Sequence, residues 1–267
     1  MLNTAILDDF RTQSPLIHCI SNLVTIQDCA NILLAAGGSP IMAKAPQEAG
    51  EITRRCAATV LNTGTPDDTK FAACQAAGQE ANRLGHPVIL DPVGVGASTY
   101  RLDHMQRLLE QVSPTLLRCN LREAQALLGR SLSEKGVDSA SAGESAARVH
   151  CATQLAQRLN CTVCLSGAVD VISDGHQVVR LSGGSRQMRM VTGAGCMLSV
   201  LLGGFSATAP SPYQAALVGC AFWKACAVVA AETAQGAGSF RIGLFDAAST
   251  LTGPDLPEYI QLEEWSL

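Results

Sequence analysis

Short apolar runs alternate with longer segments of helical pattern along most of this 267-residue chain. The apolar runs predict strands over 15–20, 39–43, 59–63, 87–91, 115–120 and 161–165. The segments between them predict helices over 2–13, 26–36, 47–57, 67–85, 102–112 and 123–128. Neighbouring parallel strands need a crossover of helix length, so this alternation favours a mostly parallel sheet. It predicts an α/β fold in three layers, an αβα sandwich around that central sheet.

The rest of the chain adds a hairpin and a helical C-terminal part. Asp174-Gly175 lies between the apolar runs 169–173 and 178–181, which predicts a hairpin. The polar stretch 131–145 is interpreted as a loop that leads into a helix ending at 160, and the chain from Cys196 onward is expected to be nearly all helix. No repeat, linker or change of composition interrupts the sequence, so residues 1–267 are predicted to form a single domain.

Composition disfavours several classes of protein. Hydrophobic residues make up 47% of the chain and charged residues 16%, as in folded proteins with a large core. The net charge of -4 does not suggest a nucleic-acid surface. We see no apolar run of membrane-spanning length and no basic segment followed by an apolar one at the start. We therefore expect a cytoplasmic protein with neither a membrane nor a nucleic-acid partner.

The cysteines are numerous, and their context favours reduced thiols. The chain has eleven of them without a secretory signal, so we expect small buried hydrophobes rather than a disulfide framework. Cys161 and Cys164 have the spacing of a metal-binding pair, but a second pair is missing and both lie in an apolar run. This pair is predicted to belong to a core strand.

A glycine-rich turn at 191–196 precedes an apolar, helix-compatible run. Free backbone N–H groups and the helix dipole at such a start form a site for a phosphate or a developing oxyanion. Cys196 would lie in the first helical turn, where the same field is expected to lower the thiol pKa. The alternative, that Gly193 and Gly195 only shape a tight turn beside a buried cysteine, stays open at this point.

Polar residues follow several of the predicted strands. In parallel sheets ligands bind beyond the carboxyl ends of the strands, which makes these positions candidates for a site. They are Asn22, Asn62, Asp91, Asn120 and Ser166. The first strand lacks the G-x-G-x-x-G pattern of dinucleotide-binding folds, and no G-x-x-x-x-G-K-[ST] phosphate loop occurs in the chain, so both readings are disfavoured.

Seven short motifs occur together and in a fixed order. They are His18-Cys-Ile-Ser-Asn22, Ser39-Pro-Ile-Met-Ala43, Leu90-Asp-Pro-Val-Gly-Val-Gly-Ala97, Arg118-x-Asn-x-x-Glu123, Lys135-Gly-Val-Asp-Ser139, Val191-Thr-Gly-Ala-Gly-Cys196 and Gly236-x-Gly-Ser-Phe240. Most are weak alone, but the set covers nearly the whole chain and resembles the hydroxyethylthiazole kinase family of the ribokinase-like superfamily. The resemblance implies thiamine salvage, with Mg²⁺-dependent phosphoryl transfer from ATP to the hydroxyl of 4-methyl-5-(2-hydroxyethyl)thiazole. It also implies a homotrimer with active sites at the subunit interfaces.

The resemblance also assigns roles to individual residues. The catalytic positions are Gly193, Ala194, Gly195 and Cys196, the last where many ribokinase relatives carry an aspartate. The thiazole positions are Met42, Asn22 and Gly193, and the ATP positions are Arg118, Ser166 and Asn120. The positions associated with Mg²⁺ are Asp91 and Glu123. Cys119 departs from the family pattern and is expected to add bulk beside the nucleotide.

Taken one at a time, these residues can also be interpreted as having purely structural roles. Asp91 could cap a strand end, Glu123 could start a helix, Arg118 could be a solvated charge and Met42 could belong to the core.

Three other functions stay open from the sequence. One is a ribokinase-like kinase for hydroxymethylpyrimidine or pyridoxal. Another is a hydrolase with Cys196 as nucleophile and His18 as base, and the last is a binding protein without turnover.

Overall fold

A nine-stranded sheet forms the centre of the computed structural model, which describes residues 2–130 and 142–265, with the backbone alone at 142–144. The strands are β1 (Leu16–Ile20), β2 (Ser39–Ile41), β3 (Ala58–Asn62), β4 (Val88–Asp91), β5 (Leu116–Cys119), β6 (Thr162–Leu165), β7 (Asp170–Ser173), β8 (Val178–Gly183) and β9 (Ile260–Trp265). Their order across the sheet is β2-β1-β3-β4-β5-β6-β7-β8-β9. Every pair from β2 to β6 is parallel, and the pairs from β6 to β9 are antiparallel. The predicted parallel sheet and hairpin are confirmed.

Helices cover both faces of the sheet. They are α1 (Ala5–Gln13), α2 (Ile26–Ala36), α3 (Pro46–Arg54), α4 (Asp68–Leu84), α5 (Thr99–Gln111), α6 (Leu121–Leu127), α7 (Ala142–Leu159), α8 (Ala194–Ser206), α9 (Pro212–Thr233), α10 (Ala237–Thr250) and α11 (Leu256–Tyr259). Successive strand residues face opposite sides. Val60 thus joins the core under α1, α2 and α8 to α10, whereas Leu61 joins the core under α3 to α7. The predicted three-layer αβα architecture is confirmed.

Two expectations about secondary structure are wrong. The segment Ile260–Trp265 is a strand, although the chain after Cys196 was expected to be nearly all helix. Its polar residues do not alternate regularly with apolar ones, and it becomes a strand by antiparallel pairing with β8 at the edge of the sheet. Residues 142–145 lie within α7 instead of the predicted loop. The rest of that loop, 131–141, lies outside the described residues.

One helix requires a correction to the composition argument. Helix α9 is long and apolar enough to cross a membrane by length and composition, with a mean hydropathy of 1.6, although no such run was expected. In the structure 78% of the 18-residue stretch of α9 that has this hydropathy is buried inside the protein, as in the core helix of a globular domain. The eleven cysteines are all buried and free, and Cys164 lies within β6, so the core-strand interpretation of the Cys161–Cys164 pair is confirmed.

Two glycines allow α8 to approach the sheet and its neighbours closely. A Cβ on Gly203 would overlap Val60 of β3, and one on Gly204 would overlap Phe10 of α1 and Leu33 of α2. Because glycine has no side chain, the axis of α8 lies close to the strands. This packing places the N-terminus of α8 at the carboxyl edge of the sheet.

The core around α8 should dominate stability. We predict that Leu33→Ala, a fully buried residue, lowers the free energy of unfolding by about 2–5 kcal/mol, because it leaves a cavity beside Gly204. Met190→Ala is the control: Met190 is 55% exposed and lies outside α2 and α10, and its loss should change stability by less than about 1 kcal/mol. Urea denaturation followed by circular dichroism measures both. Equal effects of the two substitutions would contradict this description of the core.

Candidate functional site

Three neighbouring strands bring their terminal polar residues together. Asn22 follows β1, while Asn62 ends β3 and Asp91 ends β4, and all three side chains are buried. The Asn22 Nδ2 donates to Asn62 Oδ1 at 3.3 Å, and Asn62 Nδ2 donates to Asp91 Oδ2 at 2.9 Å. The strand-end positions noted in the sequence therefore form one hydrogen-bonded row. Asn62, which the sequence marks only as a strand-end residue, links the other two side chains.

The glycine-rich turn starts α8, as the sequence predicts. Gly193 caps the helix with a φ of +83°, and the space where a Cβ would stand is filled by Thr25. The hydrogen bond from Met197 N to the Gly193 carbonyl, at 2.8 Å, begins the helical ladder. The amides of Ala194, Gly195 and Cys196 precede that bond, and so they have no acceptor within the helix. They form a cradle of N–H donors for an anion at the carboxyl edge.

Cys196 lies in the first turn of α8, but its thiol is not activated in the way the sequence suggested. The side chain is 8% exposed, and Asn22 Nδ2 donates to its Sγ at 3.2 Å. Burial raises the pKa of the Cys196 thiol, and the nearby Asp91 carboxylate raises it further. These two effects outweigh the hydrogen bonds from Thr25 and Asn62 and the charge of Arg118, so the expected lowering of the pKa is wrong. At neutral pH Cys196 is a protonated thiol.

Asp91 is a fully buried carboxylate with partners on three elements. Its Oδ2 accepts from Asn62 and from Ser199 Oγ of α8 at 2.7 Å, and its Oδ1 lies 3.4 Å from Arg118 Nη1 of β5. The hypothesis that Asp91 only caps the end of a strand therefore does not account for its contacts. Ser199 was missed in the sequence, where a serine in an apolar helix carries no signal of such a contact.

Arg118 reaches across the edge of the sheet from β5. Its Nη2 donates to Ser166 Oγ at 2.7 Å, so two of the residues assigned to ATP lie in contact. The guanidinium fills the space beside Gly195 at the start of α8, and its buried Nε has no partner among the described residues. Burial disfavours the charged form, but Asp91 and Glu123 outweigh it and raise the pKa of Arg118. Arg118 is thus a fixed, permanently charged side chain at the cradle, not a solvated one.

Glu123 and Asn120 cap the start of α6. Asn120 Oδ1 accepts from the Glu123 amide at 3.0 Å, and Glu123 Oε2 accepts from the Asn120 amide at 2.8 Å. Glu123 Oε1 also accepts from Gly94 N at 2.9 Å. Burial raises the pKa of Glu123, and the nearby Asp91 carboxylate raises it further. The helix-start reading is correct for Glu123, and Asn120 is an exposed cap that orients it.

These acids fit a magnesium ion that is held mainly through water and phosphate. In the described part of the chain no group of three or more His, Cys, Asp or Glu side chains forms a metal cage. Mg²⁺ is commonly bound by one or two carboxylates, by waters and by substrate phosphates. Each Glu123 oxygen accepts one hydrogen bond and keeps acceptor capacity. The repulsion between Glu123 and Asp91 is the kind of charge that a divalent cation relieves.

Several other predicted residues lie at the periphery of this site. Met42 follows β2 directly and packs, partly buried, against the core cluster that contains Cys196. Cys119 is fully buried in the opposite core, so the expected bulk beside the nucleotide is wrong. The motif at 135–139 lies outside the described residues.

His18 is not placed to serve Cys196 as a base. Its Nδ1 bonds Thr53 Oγ1 at 2.9 Å and its Nε2 bonds the Ala43 carbonyl at 2.8 Å, so both ring nitrogens are engaged. Burial lowers the pKa of His18, which leaves the ring neutral at pH 7. The cysteine hydrolase alternative named this residue, and the structure does not support it.

The state of the Cys196 thiol can be measured directly. Because its pKa is raised, we predict that iodoacetamide alkylates Cys196 at pH 8 at least about 10-fold more slowly than in the urea-unfolded chain. The rate should still be rising well above the pH at which an ordinary thiol ionises. Peptide mass spectrometry assigns the modified residue. Fast alkylation at neutral pH would instead indicate the thiolate that the helix start alone predicts.

Comparison with known proteins identifies the family of this chain. The model of the hydroxyethylthiazole kinase family matches residues 7–253. A hydroxyethylthiazole kinase of Clostridium beijerinckii is 40% identical over an alignment of 268 residues that covers 97% of this chain and 96% of that protein. The structure of the Pyrococcus horikoshii hydroxyethylthiazole kinase superposes with a TM-score of 0.88 at 33% identity and covers 98% of both chains. A Staphylococcus aureus pyridoxal kinase solved with AMP-PCP and pyridoxal shares the fold, with a TM-score of 0.65 at 13% identity over 94% of this chain and 98% of that one. The chain belongs to the hydroxyethylthiazole kinase family.

Proposed function

We propose that this protein transfers a phosphoryl group from ATP to the hydroxyl of 4-methyl-5-(2-hydroxyethyl)thiazole. The observation that carries the proposal is the convergence of free amides, a fixed guanidinium and two acids at one edge of the sheet. The amides belong to Ala194, Gly195 and Cys196, Arg118 lies against Gly195, and Asp91 raises the pKa of Glu123. Phosphoryl transfer needs this combination of positioning and charge neutralisation more than covalent chemistry.

The cradle of α8 holds the transferring group. Amides that point at the developing charge stabilise it without reorganisation, because the turn is already formed around Gly193. Arg118 adds a positive charge beside these amides, and this charge attracts the phosphate oxygens. Ser166 orients the guanidinium through its hydrogen bond and lies where the nucleotide enters the site. The exposed Asn120 lies at the same edge, on the β5–α6 turn.

The alcohol lies on the other side of Asp91, near Asn22, Met42 and Gly193. Cys196 is held by Asn22 and is protonated at neutral pH, so its role is to orient the substrate hydroxyl. A general base contributes less where the hydroxyl proton leaves only as the new bond forms. Asp91 and Glu123 provide the oxygen atoms for the magnesium site, and the ion supplies neutralisation of the triphosphate charge when bound.

We also propose that the enzyme works as a homotrimer in the cytoplasm. Helices α2 and α10 pack together, with Asp28 paired to Arg241, and they expose Leu34 and Ile242. The apolar Leu23, which follows Asn22 directly, is exposed as well. An interface over this surface would adjoin the alcohol side of the site, as the resemblance implies. The eleven free thiols suit a reducing compartment.

Substrate choice separates the kinase alternatives. We expect kcat/KM for the hydroxyethylthiazole to exceed that for hydroxymethylpyrimidine or pyridoxal by about 100-fold or more, since pocket contacts alone discriminate to that extent. Alcohol-dependent ADP release with saturating Mg²⁺ and ATP measures all three substrates. Preferential turnover of the pyrimidine alcohol or pyridoxal would overturn the substrate assignment. Binding of the thiazole without any ADP release would instead favour the binding protein.

The magnesium assignment rests on two acids. We predict that Asp91→Asn and Glu123→Gln each lower kcat by about 100-fold or more and raise the Mg²⁺ concentration needed for half-maximal rate. Glu80→Gln is the control, because Glu80 forms ion pairs with Arg54 and Arg83 and is not part of the strand-end row. Titration of activity with Mg²⁺ measures the effect. Folded variants that keep the wild-type rate and Mg²⁺ dependence would show that the acids have only the structural contacts described above.

Assembly can be disturbed without changing the catalytic residues. We expect light scattering to give the mass of three chains of 27.9 kDa. Leu34→Asp combined with Ile242→Asp should shift the protein towards monomers and lower activity, because both side chains are exposed on the apolar surface of α2 and α10. A fully active monomer at micromolar concentration would exclude a site shared between subunits.

A further inference from the structure

A buried lysine joins the ends of two strands beneath the candidate site. Lys70 lies in the first turn of α4, and its Nζ donates to the Ser21 carbonyl at 2.8 Å and to the Gly64 carbonyl at 2.6 Å. The residue is 6% exposed. Ser21 follows β1 and Gly64 follows β3, which is the neighbouring strand. One ammonium group thus sets the spacing of two chain segments at the carboxyl edge.

Both segments carry residues of the hydrogen-bonded row, Asn22 and Asn62, and Asn22 contacts Cys196. Ser21 is joined by a peptide bond to Asn22, the residue that donates to the Cys196 thiol. The Gly64 amide donates to Asn62 Oδ1 at 2.9 Å, and Gly64 lies so close to Asn22 that a Cβ there would stand 3.0 Å from the Asn22 Cβ. A change in the separation of the two carbonyls would therefore alter the contact between Asn22, Asn62 and Cys196.

Within the described ranges, the charge of Lys70 has no carboxylate to pair with. Among the residues that the structure describes, no acid forms an ion pair with it, and Asp67 Oδ1 accepts from the Lys70 backbone amide instead. Burial lowers the pKa of Lys70. Cys74 and Asp67 of the same helix segment and Cys196 of α8 oppose this effect, and Lys44 from the loop before α3 adds to it. An apolar side chain of similar length would avoid the cost of a buried charge but would leave the buried Ser21 and Gly64 carbonyls without this donor, so the contribution of the lysine lies in these two hydrogen bonds.

We propose that Lys70 is a positioning residue for the alcohol side of the active site. Its ammonium holds the Ser21 and Gly64 carbonyls together and thereby keeps Asn22 in contact with the Cys196 thiol. It touches neither substrate nor the acids of the magnesium site. The inference rests on the proposed function and assigns its effect to binding and orientation of the alcohol rather than to ATP.

Three variants test this role: Lys70→Met, Lys70→Arg and Lys44→Met. Lys70→Met should raise KM for the hydroxyethylthiazole by about 10-fold or more and leave KM for ATP within about 2-fold, since two charge-assisted hydrogen bonds at the alcohol side are lost. Lys70→Arg keeps a charged donor and should restore most of the alcohol affinity. Lys44→Met removes an exposed charge from the cavity that Lys70 also lines, and it should match the wild type in both KM values.

The pH profile separates a positioning charge from a structural contact. In the wild type, kcat/KM for the alcohol should fall at alkaline pH as Lys70 loses its proton, at a lower pH than for an exposed lysine. This decline should begin at a higher pH in Lys70→Met, whose activity is already low, and in Lys70→Arg, whose charge persists. If Lys70→Met fails to fold, the comparison of the wild type with Lys70→Arg decides the question. An identical decline in both would overturn the proposal.

A second measurement does not depend on turnover. Release of Asn22 should expose the thiol, so iodoacetamide should alkylate Cys196 several-fold faster in Lys70→Met than in the wild type or in Lys44→Met. If the wild type lacks kinase activity but this difference is present, the proposed function fails and the positioning role stands. Unchanged alkylation with unchanged alcohol KM would overturn the role of Lys70. Equal losses for ATP and alcohol, with a lower Tm, would also overturn it in favour of a purely structural contact.

Discussion

The buried carboxylate of Asp91 is the interaction on which the arrangement of the site depends. A buried charge is costly unless it is well hydrogen-bonded, and Asp91 is satisfied from three sides by Asn62, Ser199 and Arg118. These partners lie on β3, α8 and β5, so the requirement to satisfy one carboxylate holds three elements in register at the end of β4. The close approach of α8, permitted by its glycines, makes the contact with Ser199 possible.

Asp91 also divides the site into two electrostatic halves. On one side the carboxylate raises the pKa of Arg118, which keeps the guanidinium charged against the start of α8. On the other side it raises the pKa of Cys196, beyond the effect of burial, and keeps that thiol neutral. A permanently charged half suits the phosphates of a nucleotide, and a neutral half suits an uncharged alcohol. The same field therefore supports both substrates of the proposed reaction.

The fold extends well beyond this family, as the pyridoxal kinase likeness at 13% identity shows. The relatives that are 33% and 40% identical over nearly their whole length are the ones that carry the hydroxyethylthiazole name. A shared fold does not establish a shared substrate, so function has to be argued from the side chains at the strand ends. In this chain a continuous set of contacts runs from Lys70 and Asn22 through Asp91 to Arg118 and Ser166.

The sequence by itself determined the alternation of strands and helices, the hairpin and the polar strand ends, because periodicity and turn residues act over a few neighbouring positions. It also indicated the glycine turn at Gly193, since that residue adopts a backbone conformation that needs glycine. Only the tertiary structure decided that Ile260–Trp265 pairs as a strand, because that pairing depends on the distant β8. It likewise decided the contact of Ser199 with Asp91, the bridge made by Lys70 and the neutral state of Cys196, since hydrogen bonding and burial are created when remote segments meet.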